Sequence, residues 1–466
     1  MTTYLWIAAG LVVVFLATAF FGRKYARHFM VSRGIRVDRF KLKRKHGEIE
    51  LEVFGNREVV QAVKAYASEH HVSVDEARRQ AGKYLHEILP KFNLLAYYRV
   101  GAPVARALLF LLYWVVVERS VLKDFNSRLP RESTVIYVIN HRSNADYVLV
   151  AHMLFKFISL SYAVGEWARV WPLNHLFKWF GAYFIRRRFR EPLYHAVLSR
   201  FVQTITRRGV TQGIFIEGGL TRDGAFRKPK IGMLDYIVSS KRDPEFTQPL
   251  YIVPTAINYD RVLEDRNLTD ELLGKEDRRS RGEKLRTTAD YLFKNFFRSM
   301  VRRFRRYGYA VVSFGLPLSI DEFMATHPQL RAETYEERKP AMNLLADEIM
   351  ERISDALPVT PVTLIASIVR ELGPAPISES TLVGEIGIRY EAWKNRIWLL
   401  REETPHQIWE AGREVLMLRR LIEQENGGWR WKPDELLLLD YYANSLMLYS
   451  EVKKRGWPES SKLAEA

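Results

Sequence analysis

An α/β layered domain with a central mixed sheet is the fold class this 466-residue sequence predicts, flanked by N- and C-terminal helical regions and preceded by an N-terminal transmembrane helix. Three observations carry that prediction. Between about residues 130 and 320, short apolar and β-branched runs alternate with helical stretches, the pattern of strands and helices stacked in layers. Amphipathic stretches without strand character lie on both sides of that region. Tyr4 to Phe21 carries no charge over 18 residues, close to the length an apolar helix needs to cross a bilayer. The implied organisation is residues 1–22 as a transmembrane anchor, 23–125 as a basic segment with a helical N-terminal region, 126–320 as the α/β domain and 321–466 as a helical C-terminal region.

In chain order, the anchor comes first. Ala17-Thr18-Ala19 has the small-x-small form of a signal cleavage site, but no cation precedes the apolar run, so an uncleaved anchor is the better reading. Ten Lys or Arg against the single acid Asp38 follow between Arg23 and Lys45, which by the positive-inside rule sets the rest of the chain on the cytoplasmic side. The same cations are drawn to anionic headgroups. With a net charge of +17 and a pI near 9.7, the chain calls for acidic neighbours. The charge forms no recognisable reading helix or finger, so no nucleic acid is expected among them. Zero cysteines exclude disulfides, thiolate nucleophiles and thiolate metal sites.

Val59 to Leu89 reads as two amphipathic helices broken at His70-His71-Val72-Ser73, with Ser73 and Glu76 spaced as a capping box. Adjacent side chains diverge on a helix, so His70 and His71 are read as loop residues and not metal ligands. The apolar run Ala107–Val117 is too short to span a bilayer and reads as a core or interfacial helix. Strands are expected at Val135–Ile139, Leu160–Val164, Ala182–Ile185, Gly213–Glu217, Tyr251–Asn258 and Ala310–Phe314. The clearest helix is Pro192–Arg208: Pro stands at its first turn, Leu193, Val197, Phe201 and Ile205 recur four apart, and Gly209 follows.

The polar turns at the ends of these strands carry the chemistry. His141 follows the first, five residues before Asp146, across a turn holding Asn140, Ser143 and Asn144. That spacing lets Asp146 reach back to one imidazole nitrogen and leaves the other to take a proton from a hydroxyl. Arg186, Arg187, Arg188 and Arg190 follow the third strand, and arginine grips phosphate oxygens in pairs. The fourth is followed by Glu217-Gly218-Gly219-Leu220-Thr221-Arg222-Asp223-Gly224 and then Lys230, where glycines allow close backbone approach and Thr221, Arg222 and Lys230 can meet anionic oxygens. Pro254 interrupts the fifth strand, which calls for an edge or bulge and would shape a pocket wall. Residues 321–466 read as helical, most strongly at Ala341–Leu357, with Gly427–Trp431 as an exposed-looking loop whose Trp429 and Trp431 either touch lipid headgroups or, as such pairs more often do, cap a small apolar cluster.

These blocks, in this order, resemble the bacterial glycerol-3-phosphate 1-O-acyltransferase family. His141 to Asp146 matches its H-x-x-x-x-D signature, Gly181 to Arg187 its G-A-F-F-I-R-R block, Phe215 to Gly224 its F-V-E-G-G-x-S-R-x-G block and Val253 to Tyr259 its V-P-I-x-I-x-Y block. The likeness continues through Val312–Leu318 and Tyr441–Ser445, covering most of the chain after about residue 95. Leu220 departs from it, standing where the family carries arginine.

The resemblance implies that residues 126–320 form an acyltransferase domain, with His141 as base and Asp146 orienting it. It assigns substrate binding to Arg186, Arg187, Glu217, Gly218, Gly219, Thr221, Arg222 and Lys230. The reaction implied is transfer of a fatty acyl group from acyl-CoA or acyl-carrier protein to the sn-1 hydroxyl of glycerol 3-phosphate. No metal or cofactor is expected beyond that donor. The expected setting is the cytoplasmic membrane, and the sequence leaves the oligomeric state open. Alternatives are acceptors such as dihydroxyacetone phosphate or 1-acylglycerol 3-phosphate, and, in another class, a catalytically silent membrane scaffold. Glu217-Gly-Gly favours the glycerol phosphate branch, and the intact His141 and Asp146 disfavour the scaffold.

Overall fold

A computed structural model of the chain describes residues 46–89, 102–118, 120–130, 132–154, 161–164, 183–186, 189–273, 306–393 and 404–457. The apolar run 4–21, the basic stretch 23–45 and Arg187 lie outside the described residues. Among the described residues, no helix is long and apolar enough to cross a membrane.

Among the described residues the fold is built on an eight-stranded mixed sheet of β1 (Trp114–Val117), β2 (Thr134–Ile139), β3 (Ser161–Val164), β4 (Tyr183–Phe184), β5 (Gln212–Phe215), β6 (Leu250–Tyr259), β7 (Tyr309–Phe314) and β8 (Leu318–Ser319). The order is β1-β7-β6-β2-β5-β3-β4, with β8 also pairing β6. Strands β6, β2, β5, β3 and β4 run parallel, while β7 and β8 are antiparallel to β6 and β1 is parallel to β7. The parallel centre is covered on both faces, which is why Val135–Ile139 reads as an unbroken apolar run and not as an alternation.

The faces separate by residue parity. Tyr137, Ile139, Val253, Ile257 and Tyr259 enter one hydrophobic cluster with α4 (Ala102–Leu112), α5 (Ser120–Arg128), α6 (Asp146–Leu154), α9 (Asp265–Leu272), α12 (Pro361–Leu372), α13 (Glu379–Trp393), α14 (Pro405–Leu418) and α15 (Leu436–Asn444). Ile136, Val138, Ile252 and Ala256 enter the other, with α1 (His46–Phe54), α2 (Arg57–Glu69), α3 (Val74–Ile88), α7 (Pro192–Arg207), α8 (Gly232–Val238), α10 (Ile320–Thr326), α11 (Tyr335–Asp355) and α16 (Tyr449–Arg455). Both clusters draw on segments that the sequence reading separates at 125/126 and 320/321.

Local signals account for several boundaries. Ser73 and Glu76 exchange the reciprocal bonds of a capping box at the start of α3, and His71 sits at φ 53° in the turn before it. Pro192 opens α7 and Gly209 closes it at φ 72°. Two expectations need correction. The run Ala107–Val117 is not one helix: it breaks at Tyr113, and Trp114–Val117 pairs with β7, because the three consecutive valines suit a strand between helices better than another helical turn. The C-terminal region is not all helix either. Glu425-Asn426-Gly427-Gly428 closes a hairpin of β9 (Ile422–Glu425) and β10 (Gly428–Trp431), with Asn426 and Gly427 both at positive φ. Trp429 and Trp431 are buried in that hairpin and join the first cluster.

Candidate active site

The catalytic candidates sit where β2 ends. Asn140 is fully buried, and its side chain both accepts from the Ile257 amide at 2.8 Å and donates to the Ile257 carbonyl at 3.0 Å, extending the β2–β6 ladder by one side chain. This fixes where the turn begins. Asp146, the first residue of α6, turns its carboxylate back over it: Oδ2 accepts His141 Nδ1–H at 2.9 Å, the Arg142 amide at 2.8 Å and the Ser143 amide at 3.0 Å. Oδ1 accepts the Tyr259 hydroxyl at 2.6 Å. The side chains of His141 and Asp146 are 3% and 0% exposed. An acceptor at Nδ1 puts the imidazole proton there and the lone pair on Nε2. The ring is held flat against Phe215, with centroids 4.1 Å apart, and edge-on to Tyr147.

Glu217 lies under the same turn. It is 1% exposed, and its two oxygens accept the His141 amide at 2.6 Å and the Arg227 amide at 2.8 Å. Burial raises its pKa, opposed by the Arg142 charge and those two amides. The assignment of Glu217 to substrate binding therefore needs revision: it ties the His141 turn to the loop that follows β5. The amides of residues 141, 142, 143 and 145 are all engaged, the last by Ser143 Oγ at 3.1 Å, so they do not supply an oxyanion hole.

Around this core the loop 217–225 folds back onto the turn. The Thr221 amide reaches the His141 carbonyl at 3.3 Å, while its buried hydroxyl lies within the loop, against Asp223 at 2.9 Å and the Ala225 carbonyl at 2.8 Å. Gly218 sits at φ 68° beneath the Lys230 stem, where an added Cβ would come 2.9 Å from Lys230 Cγ. Gly219 and Arg222 are partly exposed and Lys230 is exposed. Arg222 pairs with Glu271 at 2.7 Å.

Two candidates lie elsewhere. Arg186 grips Glu87 of α3 with Nε at 3.0 Å and a terminal nitrogen at 2.6 Å, among the rings of Tyr84, Phe189 and Tyr194, which makes it a strut between α3 and the segment after β4. Pro254 stands between the stretch of β6 that pairs β8 and the stretch that pairs β7, where its missing N–H costs no ladder bond. By strand parity its ring is on the face opposite Tyr259 and packs beside Gly315, so it marks a break in the ladder and not a wall beside His141. Among the described residues no group of three His, Asp or Glu could hold a metal.

A general acyltransferase family model matches residues 121–258, spanning the His141 turn, Glu217 and Arg222. A model described as the glycerol-3-phosphate acyltransferase C-terminal region matches residues 293–449, and the two together cover well over half of the chain. Together the two matches support the bacterial glycerol-3-phosphate acyltransferase family. A glycerol-3-phosphate acyltransferase of Haemophilus influenzae (strain PittEE) is 27% identical over 409 residues, 83% of this chain and 47% of its own. Another, from Alteromonas mediterranea, is 26% identical over 419 residues, 86% of this chain and 49% of its own. The chain thus spans about half the length of the curated relatives it matches. A solved 1-acyl-sn-glycerophosphate acyltransferase from Thermotoga maritima is 16% identical and covers 72% of this chain and 94% of its own at a TM-score of 0.30, too loose a superposition for comparing sites.

Several further residues complete this site. Tyr259 closes the V-P-x-x-I-x-Y block, and its place at the end of a long buried strand was the available signal. Arg142, inside the His141–Asp146 spacing, is 1% exposed; it donates to the Gly224 and Ser445 carbonyls and stacks over Phe226 at 5.2 Å. Asn444 donates to the Asp223 carbonyl at 3.0 Å, so the end of α15 is fastened to the loop after β5. Glu264 accepts the Ser143 hydroxyl at 2.8 Å, and no spacing signals it.

Proposed function

We propose that this chain transfers a fatty acyl group from a thioester donor, acyl-CoA or acyl-carrier protein, to the sn-1 hydroxyl of glycerol 3-phosphate. One observation carries the reading: a buried His141 held at Nδ1 by Asp146, which is itself held by Tyr259, beside a glycine loop bordered by Arg222 and Lys230. An alcohol attacks a thioester slowly at neutral pH unless its proton is removed as the C–O bond forms. Nε2 of His141 takes that proton, and Asp146 stabilises the imidazolium. Collapse of the tetrahedral intermediate breaks the C–S bond, and the imidazolium proton goes to the departing thiolate, restoring the neutral ring.

Arg222 and Lys230 hold the acceptor's phosphate, Arg222 exchanging its Glu271 partner for it, with Arg187 as a further cation from the segment after β4. Arg186 is assigned a supporting part, since its guanidinium already has a two-pronged carboxylate partner. Holding the acceptor this way makes the attack close to unimolecular. No cofactor takes part in these steps. The apolar run 4–21 and the cations of 23–45 would keep the enzyme on the cytoplasmic face of the membrane that receives its product.

The test is a radiolabelled-acceptor assay on isolated membranes. It uses both thioester donors and three acceptors: glycerol 3-phosphate, dihydroxyacetone phosphate and 1-acylglycerol 3-phosphate. Label from glycerol 3-phosphate should enter a 1-acyl product. Transfer only to one of the other acceptors, or to none, would overturn the assignment.

A further inference from the structure

We propose that Glu264 is a positioning residue for acyl transfer, holding Ser143 and Asn144 so that the turn keeps Asp146 aligned under His141; this rests on the function argued above. The geometry is specific. Glu264 follows β6, 121 residues from Ser143, and its Oε2 accepts the Ser143 hydroxyl at 2.8 Å while the Asn144 side chain also bonds its carboxylate. Ser143 Oγ in turn accepts the Ala145 amide at 3.1 Å, and the Ser143 amide lies on Asp146 Oδ2 at 3.0 Å. The five-residue turn is thus gripped by two carboxylates, Asp146 acting on its amides and Glu264 on its side chains. Both are steadied by the chain at and just after the end of β6, since Tyr259 holds Asp146 and Glu264 stands five residues further on.

The carboxyl of Glu264 also titrates in an unusual range. Burial pushes its pKa up to about 7, opposed by the bonds from Ser143 and Asn144 and reinforced by the negative charge of Asp146. The other titratable groups around it are Tyr259 of β6, Tyr441 of α15, His141 across the turn, and Asp265 in the next position, which is paired with Arg419. Ionised Glu264 accepts from Ser143 and Asn144 together. When it is protonated, one oxygen becomes a donor and that double grip is lost, so the turn loosens as pH falls through about 7.

Steady-state kinetics on the full-length chain in membranes, with glycerol 3-phosphate and an acyl-CoA, test this in wild type, Glu264→Ala and Glu264→Gln. Glu264→Ala should lower kcat at least tenfold while the acceptor KM moves less than threefold, and Glu264→Gln, which like the protonated acid keeps one acceptor oxygen, should fall between Glu264→Ala and wild type above pH 7. The ratio of wild-type to Glu264→Gln kcat should be largest above pH 7 and shrink toward one as pH falls through about 7, where wild-type Glu264 itself becomes neutral. An active wild type with Glu264→Ala within twofold of it, or with a wild-type to Glu264→Gln ratio that does not change between pH 8 and pH 6, overturns the proposal. A wild type that acylates no acceptor overturns the functional reading instead. If Glu264→Ala does not fold, Ser143→Ala decides: a tenfold kcat loss supports the grip, and a value within twofold of wild type refutes it.

Discussion

Both oxygens of Asp146 are occupied, and they do different work. Oδ2 sets the imidazole tautomer and closes the turn, while Oδ1, held by Tyr259, prevents the carboxylate from rotating away. Replacing His141 with Ala removes the base and should cost between about a hundredfold and ten-thousandfold in kcat; assays alongside circular dichroism should show the fold intact. Tyr259→Phe leaves the base but frees Oδ1, and a loss of roughly 1 kcal/mol of stability is expected in a denaturant titration, with kcat reduced. Glu264 gives a pH-dependent contrast. Its folded pKa of about 7 lies above the ordinary 4.5, so the folded state binds the extra proton between those values and stability falls as pH rises through that window. Glu264→Gln should therefore raise Tm over wild type at pH 8 and lose the advantage at pH 4.5. His141 and Asp146 were legible because their spacing is local. Glu264 and Arg186 were not, since what defines them is a partner 121 or 99 residues away, which no short pattern records.

At the scale of elements, the loop after β5 approaches the backbone of α15 at Gly224 more closely than a side chain there would allow. Gly224 has φ 84°, and a Cβ there would fall 1.7 Å from the Tyr441 carbonyl oxygen. Gly224→Ala cannot be absorbed by a side-chain rotation, because the obstacle is backbone. The loop or the helix must move, at a cost of several kcal/mol. The expected result is a lower Tm and a raised acceptor KM, measured together. Elements were legible where a period or a cap marked them: β2, β6 and α7 match their expected spans to within about two residues. The run ending at Val117 was missed because uniformly apolar stretches carry no period to separate helix from strand. Asn426-Gly427 is itself a strong short hairpin signal, but the strands it joins span only four residues each, too short for alternation to mark them as strands.

Across the whole molecule, the C-terminal helices are part of both hydrophobic clusters and not an appendage. Leu438, Leu439, Tyr441 and Tyr442 belong to the cluster on the Tyr259 face, and Tyr449 to the one on the opposite face. Deleting residues 433–466 should yield aggregated chain and not a trimmed enzyme, as soluble recovery and far-ultraviolet circular dichroism would show. A soluble, active truncation would contradict that arrangement. The layered α/β class was legible because strand and helix runs alternate. That the helical region beyond residue 320 closes over both faces was not, since amphipathic helices reveal that they cover something without revealing what.

Arg142 binds the carbonyl of a residue 303 positions further on. On a ribosome adding about 5–20 residues per second, the segment carrying His141 therefore emerges roughly 15–60 s before Ser445 exists to receive that guanidinium. Throughout that interval the arginine lacks one of its two carbonyl partners and the loop after β5 lacks its buttress. A nascent chain stalled before residue 445 should accordingly make no product, however near the bilayer it lies, and turnover should begin only once synthesis has passed that point.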